Sequence, residues 1–144
     1  MGEFQERYGP VAMITGASSG IGRGFAEELS ARGFDLVITA RRKDRLETLA
    51  QEINSAGGRA VAVEADVGDA ARMARVFDDA ERQFGPVTIL VNNAGISRAG
   101  RLIDGDVAGW RETMDINVEA VRANAVEAAQ RMVKAGKRGA IINL

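Results

Sequence analysis

Five short apolar runs recur along this chain, and each of the first four is followed by turn residues and a longer amphipathic stretch. The runs are residues 11–15, 36–39, 60–64, 87–91 and 140–144, and each is rich in strand-forming side chains. Unbroken apolar runs, as opposed to alternating ones, mark strands covered on both faces. Between them, helical periodicity predicts helices over 21–32, 43–56, 70–84 and a long one over 107–135. Gly33, Gly57, Gly58, Gly85 and Gly136 fall just past those helices, and Pro10 and Pro86 stand directly before strands. Such strict alternation predicts an α/β fold with a parallel, doubly wound sheet, its ligands expected at the carboxyl ends of the strands. With 144 residues the chain suits one domain, and 46% apolar residues supply its core.

The composition removes several functions. Nineteen Lys and Arg against 20 Asp and Glu give a formal charge of −1, with the two signs interspersed, so no basic stripe awaits a nucleic acid. There is no Cys and no His, which excludes disulfides, thiolate nucleophiles, cysteine-bound metal and the commonest general base. We expect no metal site, no membrane span and, from Glu3, Gln5, Glu6 and Arg7 around Phe4, no secretory leader; a cytoplasmic protein is the expectation.

Directly after the first run comes Thr15-Gly16-Ala17-Ser18-Ser19-Gly20-Ile21-Gly22, opening the first helix. A dinucleotide pyrophosphate needs a tight turn, a backbone it can approach closely, and free helical N–H groups aimed at the anion. Gly16, Gly20 and Gly22 supply these between a strand and a helix, the context that gives the motif meaning. Ser18 and Ser19 are candidates for both helix capping and phosphate contact.

The spacing G-x-x-x-G-x-G resembles the cofactor loop of the short-chain dehydrogenase/reductase superfamily. Asp66-Val67, Asn92-Asn93-Ala94-Gly95 and Asn117 follow in the order and at the strand ends of that family's other motifs, so the resemblance runs from about Val11 to Leu144. It implies a Rossmann-type sheet of order 3-2-1-4-5, a nicotinamide dinucleotide as cofactor and a small carbonyl or alcohol as substrate. Gly16, Ser18, Ser19, Gly20, Ile21 and Gly22 would hold the pyrophosphate, Asp66 would accept from the adenine amino group, and Val67 would pack on the ring. Asn93, Ala94 and Gly95 would line the ribose and the pocket floor.

The second run ends in Thr39-Ala40-Arg41-Arg42. A carboxylate there would accept from the ribose hydroxyls of NAD and repel a 2′-phosphate. By resemblance Ala40 stands where NAD-preferring members carry the acid, and Arg41 where a guanidinium grips the phosphate of NADP; Asp35 is at the wrong end of the strand to substitute. NADP(H) is therefore expected over NAD(H), with Arg41 and Arg42 as its ligands. The alternative is that both are solvated charges partnered by Asp44 or Glu47.

Carbonyl reduction also needs a proton donor. The family uses a Ser, a Tyr-x-x-x-Lys pair on one helical face, and a helix Asn that supports a water relay; only the Asn is present, as Asn117. Tyr8 is the sole tyrosine and Ala12 stands four residues on; Lys43, Lys134 and Lys137 have no tyrosine partner. Ser97 is the last serine and precedes the fifth strand, after which relatives carry theirs. The expectation is an incomplete dinucleotide-binding domain over 1–144, the N-terminal half of an oxidoreductase, inactive alone. A non-catalytic nucleotide-binding module and a truncated open reading frame are the alternatives. Trp110, Met114, Val118, Val121 and Val126 exceed one core stripe, and in relatives this helix pairs subunits, which implies a homo-oligomer; Val118 and Val121 are expected in the core.

Overall fold

A computed structural model describes residues 2–144. The strands β1 (Val11–Thr15), β2 (Asp35–Ala40), β3 (Arg59–Glu64), β4 (Ile89–Asn92) and β5 (Ala140–Asn143) form one parallel sheet of order β3-β2-β1-β4-β5. The helices α1 (Glu3–Tyr8), α2 (Gly20–Ala31), α3 (Lys43–Ser55), α4 (Ala70–Phe84), α5 (Val107–Met114) and α6 (Ala120–Lys134) complete the chain, with a π-helical turn over Asp115–Glu119 and a 3-10 turn over Leu102–Asp104.

The apolar runs divide their side chains between two cores because successive strand residues point to opposite faces. Ala12, Ile14, Leu36, Ile38, Ile89 and Val91 face α2 and α3, where Ala26, Leu29, Leu46 and Leu49 meet them. Val11, Met13, Val37 and Leu90 face the other way, against Met73, Val76 and Phe77 of α4 and Ala128 and Met132 of α6. Each fully buried Leu, Ile or Phe stabilises the fold by roughly 1.5–3 kcal/mol. Arg131 ties the second pair of helices together. Its guanidinium meets Asp78 at 2.9 Å, Glu81 at 3.2 Å and Glu127 at 2.7 Å. It also lies 5.4 Å from the Phe77 ring centroid. Burial disfavours its charge, but the hydrogen-bonded carboxylates win and raise its pKa.

The structure adds one helix and corrects two expectations. First, α1 was not anticipated; Phe4 packs on Tyr8 and Phe34 and the Gln5 amide donates to Gly33 O at 2.6 Å, so contacts with distant residues hold this short helix. Second, β4 begins at Ile89 and not at Val87, although Val87 and Thr88 are buried; Thr88 N and Oγ1 donate to Val11 O at 2.9 and 3.0 Å.

Third, the helix expected over 107–135 is interrupted at Asp115–Glu119. The wider turn inserts a residue into the repeat and rotates the stripe that follows. The buried residues of α6 are then Ala120, Asn124, Ala128 and Met132, three of them small and the last a long apolar side chain in the core. Val118, expected in the core, is 51% exposed, while Val121 is half-buried.

Candidate functional site

In a parallel sheet the chain leaves neighbouring strands in opposite directions at one place, and the gap between the two departing connections forms a crevice. Here that place lies between β1, which continues toward β2, and β4, which continues toward β5. Two side chains lock the strand ends on either side of it. Thr15 Oγ1 accepts from Asn93 N and Ala94 N, each at 3.0 Å, and donates to Val91 O at 3.4 Å. The Asn93 amide reaches back, donating to Thr15 O at 3.2 Å and Gly16 O at 3.1 Å.

This locking explains the glycines. Gly16 adopts φ +64°, and a Cβ there would come within 2.8 Å of Ala94 Cα. Gly22, buried on the first turn of α2, has Gly16 O and Asn93 Nδ2 where its Cβ would be. Gly20 turns the chain at φ +58° with open space around it. The result is a cradle in front of the N-terminus of α2 that any side chain at 16 or 22 would fill.

The cradle opens into a cleft of about 730 Å³ at the carboxyl ends of β1 to β4. Of the residues singled out from the sequence, Gly16, Ser18, Ser19, Ile21, Arg41, Arg42, Asp66, Val67, Asn93, Ala94 and Gly95 line it. Gly20, Gly22 and Asn117 do not; the glycines shape the turn from behind. Asn117 sits in the π-helical turn, and both ends of its amide are engaged by one residue. Oδ1 accepts from Ile96 N at 2.8 Å and Nδ2 donates to Ile96 O at 2.7 Å. Its side chain clamps the segment after β4.

Ser19 is the N-cap of α2 by position, but its hydroxyl makes no capping bond, contrary to expectation. Arg42 Nη2 instead donates to Ser18 Oγ at 3.4 Å and Ser19 Oγ at 3.3 Å. Among the described residues neither Arg41 nor Arg42 forms an ion pair; Glu47 pairs with Lys43 at 3.6 Å. Asp35, at the far end of β2, is engaged by Arg59 at 3.1 Å. Asp66 Oδ1 accepts from Gly68 N at 2.9 Å, leaving Oδ2 for another donor. Ile21 is 66% exposed, an apolar side chain held over the cleft at the start of a helix.

Ala40, singled out as the place of the absent acid, lines the cleft as well, and four lining residues were missed: Ala65, Ile96, Glu112 and Ile116. Ala65 and Ile96 lie next to the motifs, so adjacency was a usable signal. Glu112 and Ile116 reach the cleft from α5 and the turn after it, and only the packing of that helix brings them there.

The strand order and the glycine cradle at the switch point define a Rossmann-like, doubly wound α/β protein. The chain belongs to the short-chain dehydrogenase family: the model described as short chain dehydrogenase matches residues 10–144. It is 35% identical over 134 residues to a 3-oxoacyl-(acyl-carrier-protein) reductase of Staphylococcus aureus, covering 92% of this chain and 54% of that protein. It is 37% identical over 138 residues to an NADP-dependent (R)-specific alcohol dehydrogenase of Lentilactobacillus kefiri, covering 94% and 54%. A short-chain dehydrogenase/reductase of Burkholderia phymatum, solved in complex with NAD, superposes with a TM-score of 0.90 at 33% identity, covering 96% of this chain and 49% of that one. The chain thus spans about half the length of the curated relatives it matches. The family is one of oxidoreductases, and its members bind nicotinamide dinucleotides. Among the described residues no helix is long and apolar enough to cross a membrane.

Proposed function

We propose that residues 1–144 are the nucleotide-holding part of an NADP(H)-dependent short-chain oxidoreductase that interconverts a carbonyl and a secondary alcohol. The observation that carries the cofactor assignment is the pair Arg41 and Arg42, without ion-pair partners among the described residues, on a cleft whose β2 end presents Ala40 and no acid. A planar guanidinium fork suits a 2′-phosphate, and a carboxylate at that place would repel it.

The residues fit such a ligand. The bare backbone at Gly16, with Gly22 behind it, admits a pyrophosphate to the free N–H groups of α2. Ser18 and Ser19 add hydroxyl donors, already oriented by Arg42. Asp66 keeps a free carboxylate oxygen for the adenine amino group, Val67 packs on the ring edge, and Asn93, Ala94 and Gly95 form the floor. A bound nicotinamide cofactor supplies hydride. Ile21 covers the cleft with an apolar surface, and Asn117 positions the segment after β4 through Ile96.

No Tyr-x-x-x-Lys pair occurs in these 144 residues. They therefore bind cofactor without turning over a carbonyl, and the same observation favours a second reading, a nucleotide-binding module with no chemistry of its own. The proposal includes a cytoplasmic location and pairing of copies through the exposed Trp110 and Met114 of α5, Val118 of the π-helical turn and Val126 of α6.

Fluorescence titration of the chain with NADPH and NADH, read through Trp110 and the cofactor, tests the assignment. Tighter binding of NADPH that Arg41→Asp abolishes supports it. Equal affinities, or an Arg41→Asp variant that keeps its NADPH affinity, refute it. Measurable NADPH oxidation by the purified chain with a panel of ketones would refute the non-catalytic reading of these residues.

A further inference from the structure

The cleft contains a carboxylate that the cofactor assignment above leaves unused. Glu112, on α5, lines the same cleft as Arg41, one turn before Ile116. Both its oxygens are occupied by one guanidinium: Arg98 Nε donates at 2.8 Å to Oε2 and Nη2 at 2.5 Å to Oε1. Arg98 stands two residues after Ile96, whose backbone Asn117 clamps, and its side chain reaches across to α5.

As a stabilising device this pair is weak, since its side chains are 51% and 45% exposed. Its place matters more than its strength. The hydrogen bonds from Arg98 hold the Glu112 carboxyl below its ordinary range against the opposing effect of burial, and the positive charge of Arg41, which lines the same cleft, acts in the same direction. A phosphate entering beside Arg41 approaches that carboxylate as well.

We propose that Arg98 is a specificity-determining residue, which by neutralising Glu112 keeps Arg41 available for a ribose 2′-phosphate and so favours NADP(H) over NAD(H). The inference rests on the assignment of Arg41 above. With Arg98 in place the fork saturates the carboxylate, and the cleft presents Arg41 as a net positive group. With the charge at 98 removed, Glu112 becomes a free anion facing Arg41. It then either takes that guanidinium as its counter-ion or repels the incoming phosphate, and NADP loses affinity in both cases. NAD lacks the phosphate and is little affected. Half-exposed charges are screened, so a change of about 5-fold in the affinity ratio is expected, not several orders of magnitude.

The test titrates NADPH and NADH into the 144-residue chain and its Arg98→Gln, Glu112→Gln and doubly substituted variants, with thermal melts as the folding control. Arg98→Gln keeps a hydrogen-bond donor and removes the charge, so a mere latch between the loop and α5 would leave the ratio of affinities unmoved. We expect Arg98→Gln to lower the NADPH to NADH affinity ratio about 5-fold, and less in high salt. Glu112→Gln leaves the ratio unchanged or raises it, and the double variant returns it to the unsubstituted level. An unaltered ratio in Arg98→Gln, or equal weakening of both cofactors by both single variants, overturns the proposal. The unsubstituted ratio reports separately on Arg41: lack of NADPH preference there defeats the cofactor assignment, whereas the shift on Arg98→Gln speaks only to Arg98.

Discussion

Glycines at 22 and 24 occupy the same helix, two residues apart, and the structure gives their replacement opposite signs. A Cβ at Gly24 meets nothing within 4 Å, and the residue is exposed. Gly24→Ala should therefore stabilise by about 0.5–1 kcal/mol, through helix propensity and a less flexible unfolded chain. At Gly22 the same methyl would overlap Gly16 O and lie 2.5 Å from Asn93 Nδ2. Relieving that overlap means moving the Gly16 carbonyl or breaking the bonds that Asn93 donates to Thr15 O and Gly16 O. Overpacking costs about 1–3 kcal/mol. An amide left without partners costs about 1–3 kcal/mol more, and alanine's helix propensity returns about 1 kcal/mol. The expected net is a loss of about 1–5 kcal/mol for Gly22→Ala, a large share of the roughly 5–15 kcal/mol that holds a typical domain together. Urea denaturation followed by circular dichroism measures both variants against the parent. A Gly22→Ala protein as stable as the parent, or one that gains as Gly24→Ala does, would refute the argument that the loop and the β4 end are locked together behind the cradle.

Other expectations concern the two cores. Thr39 is fully buried in β2 and its hydroxyl has no hydrogen-bond partner among the described residues. Thr39→Val keeps the shape and removes the unsatisfied group, so it should stabilise by about 1 kcal/mol and raise Tm by roughly 4 °C; a lower Tm in calorimetry would show that the hydroxyl does useful bonding. Arg131→Ala strands Asp78, Glu81 and Glu127 together between α4 and α6 and uncovers Phe77, and a loss of about 1–3 kcal/mol is expected in the same urea assay. An unchanged midpoint would mean that the two helices are held by their apolar contacts alone.

The cleft and the sheet depend on each other through few groups. Thr15 and Asn93 join the ends of β1 and β4, and Asn117 reaches the same connection from the π-helical turn. The polar side chains closest to the cradle are thus spent on holding backbone in place. Open toward the cleft are bare backbone at Gly16, the hydroxyls of Ser18 and Ser19 and the guanidinium groups of Arg41 and Arg42, groups suited to phosphate and ribose, beside the apolar side chains of Ile21, Val67, Ile96 and Ile116. Asn92 performs the corresponding service on the other side of β4, donating to Asn143 Oδ1 at 3.0 Å and Val121 O at 3.3 Å, which registers β5 and α6 on the sheet.

Much of this was legible without coordinates. Strands buried on both faces need continuous apolar runs, and a pyrophosphate turn needs glycine where side chains would intrude, so the strands, their parallel direction and the Gly16 to Gly22 loop follow from local residue types, while β3 and β5, at the sheet edges, are only partly buried. Charge type at the end of β2, Ala40 followed by Arg41 and Arg42, was equally local. What tertiary structure decided depends on residues far apart in the chain. The helix α1 exists because Phe4 finds Phe34 and Gln5 finds Gly33, contacts that a six-residue segment cannot advertise. The π-helical turn made Ala120, Asn124, Ala128 and Met132 the buried stripe and left Val118 and Val126 exposed, because an inserted residue rotates everything after it and periodicity assumes a regular helix. The same packing carried Glu112 into the cleft that Arg41 also lines and gave Arg98 a carboxylate to hold. Composition and spacing fix what a segment can be; where a charge ends up is fixed by the packing of elements, since it is distance in space that governs its field.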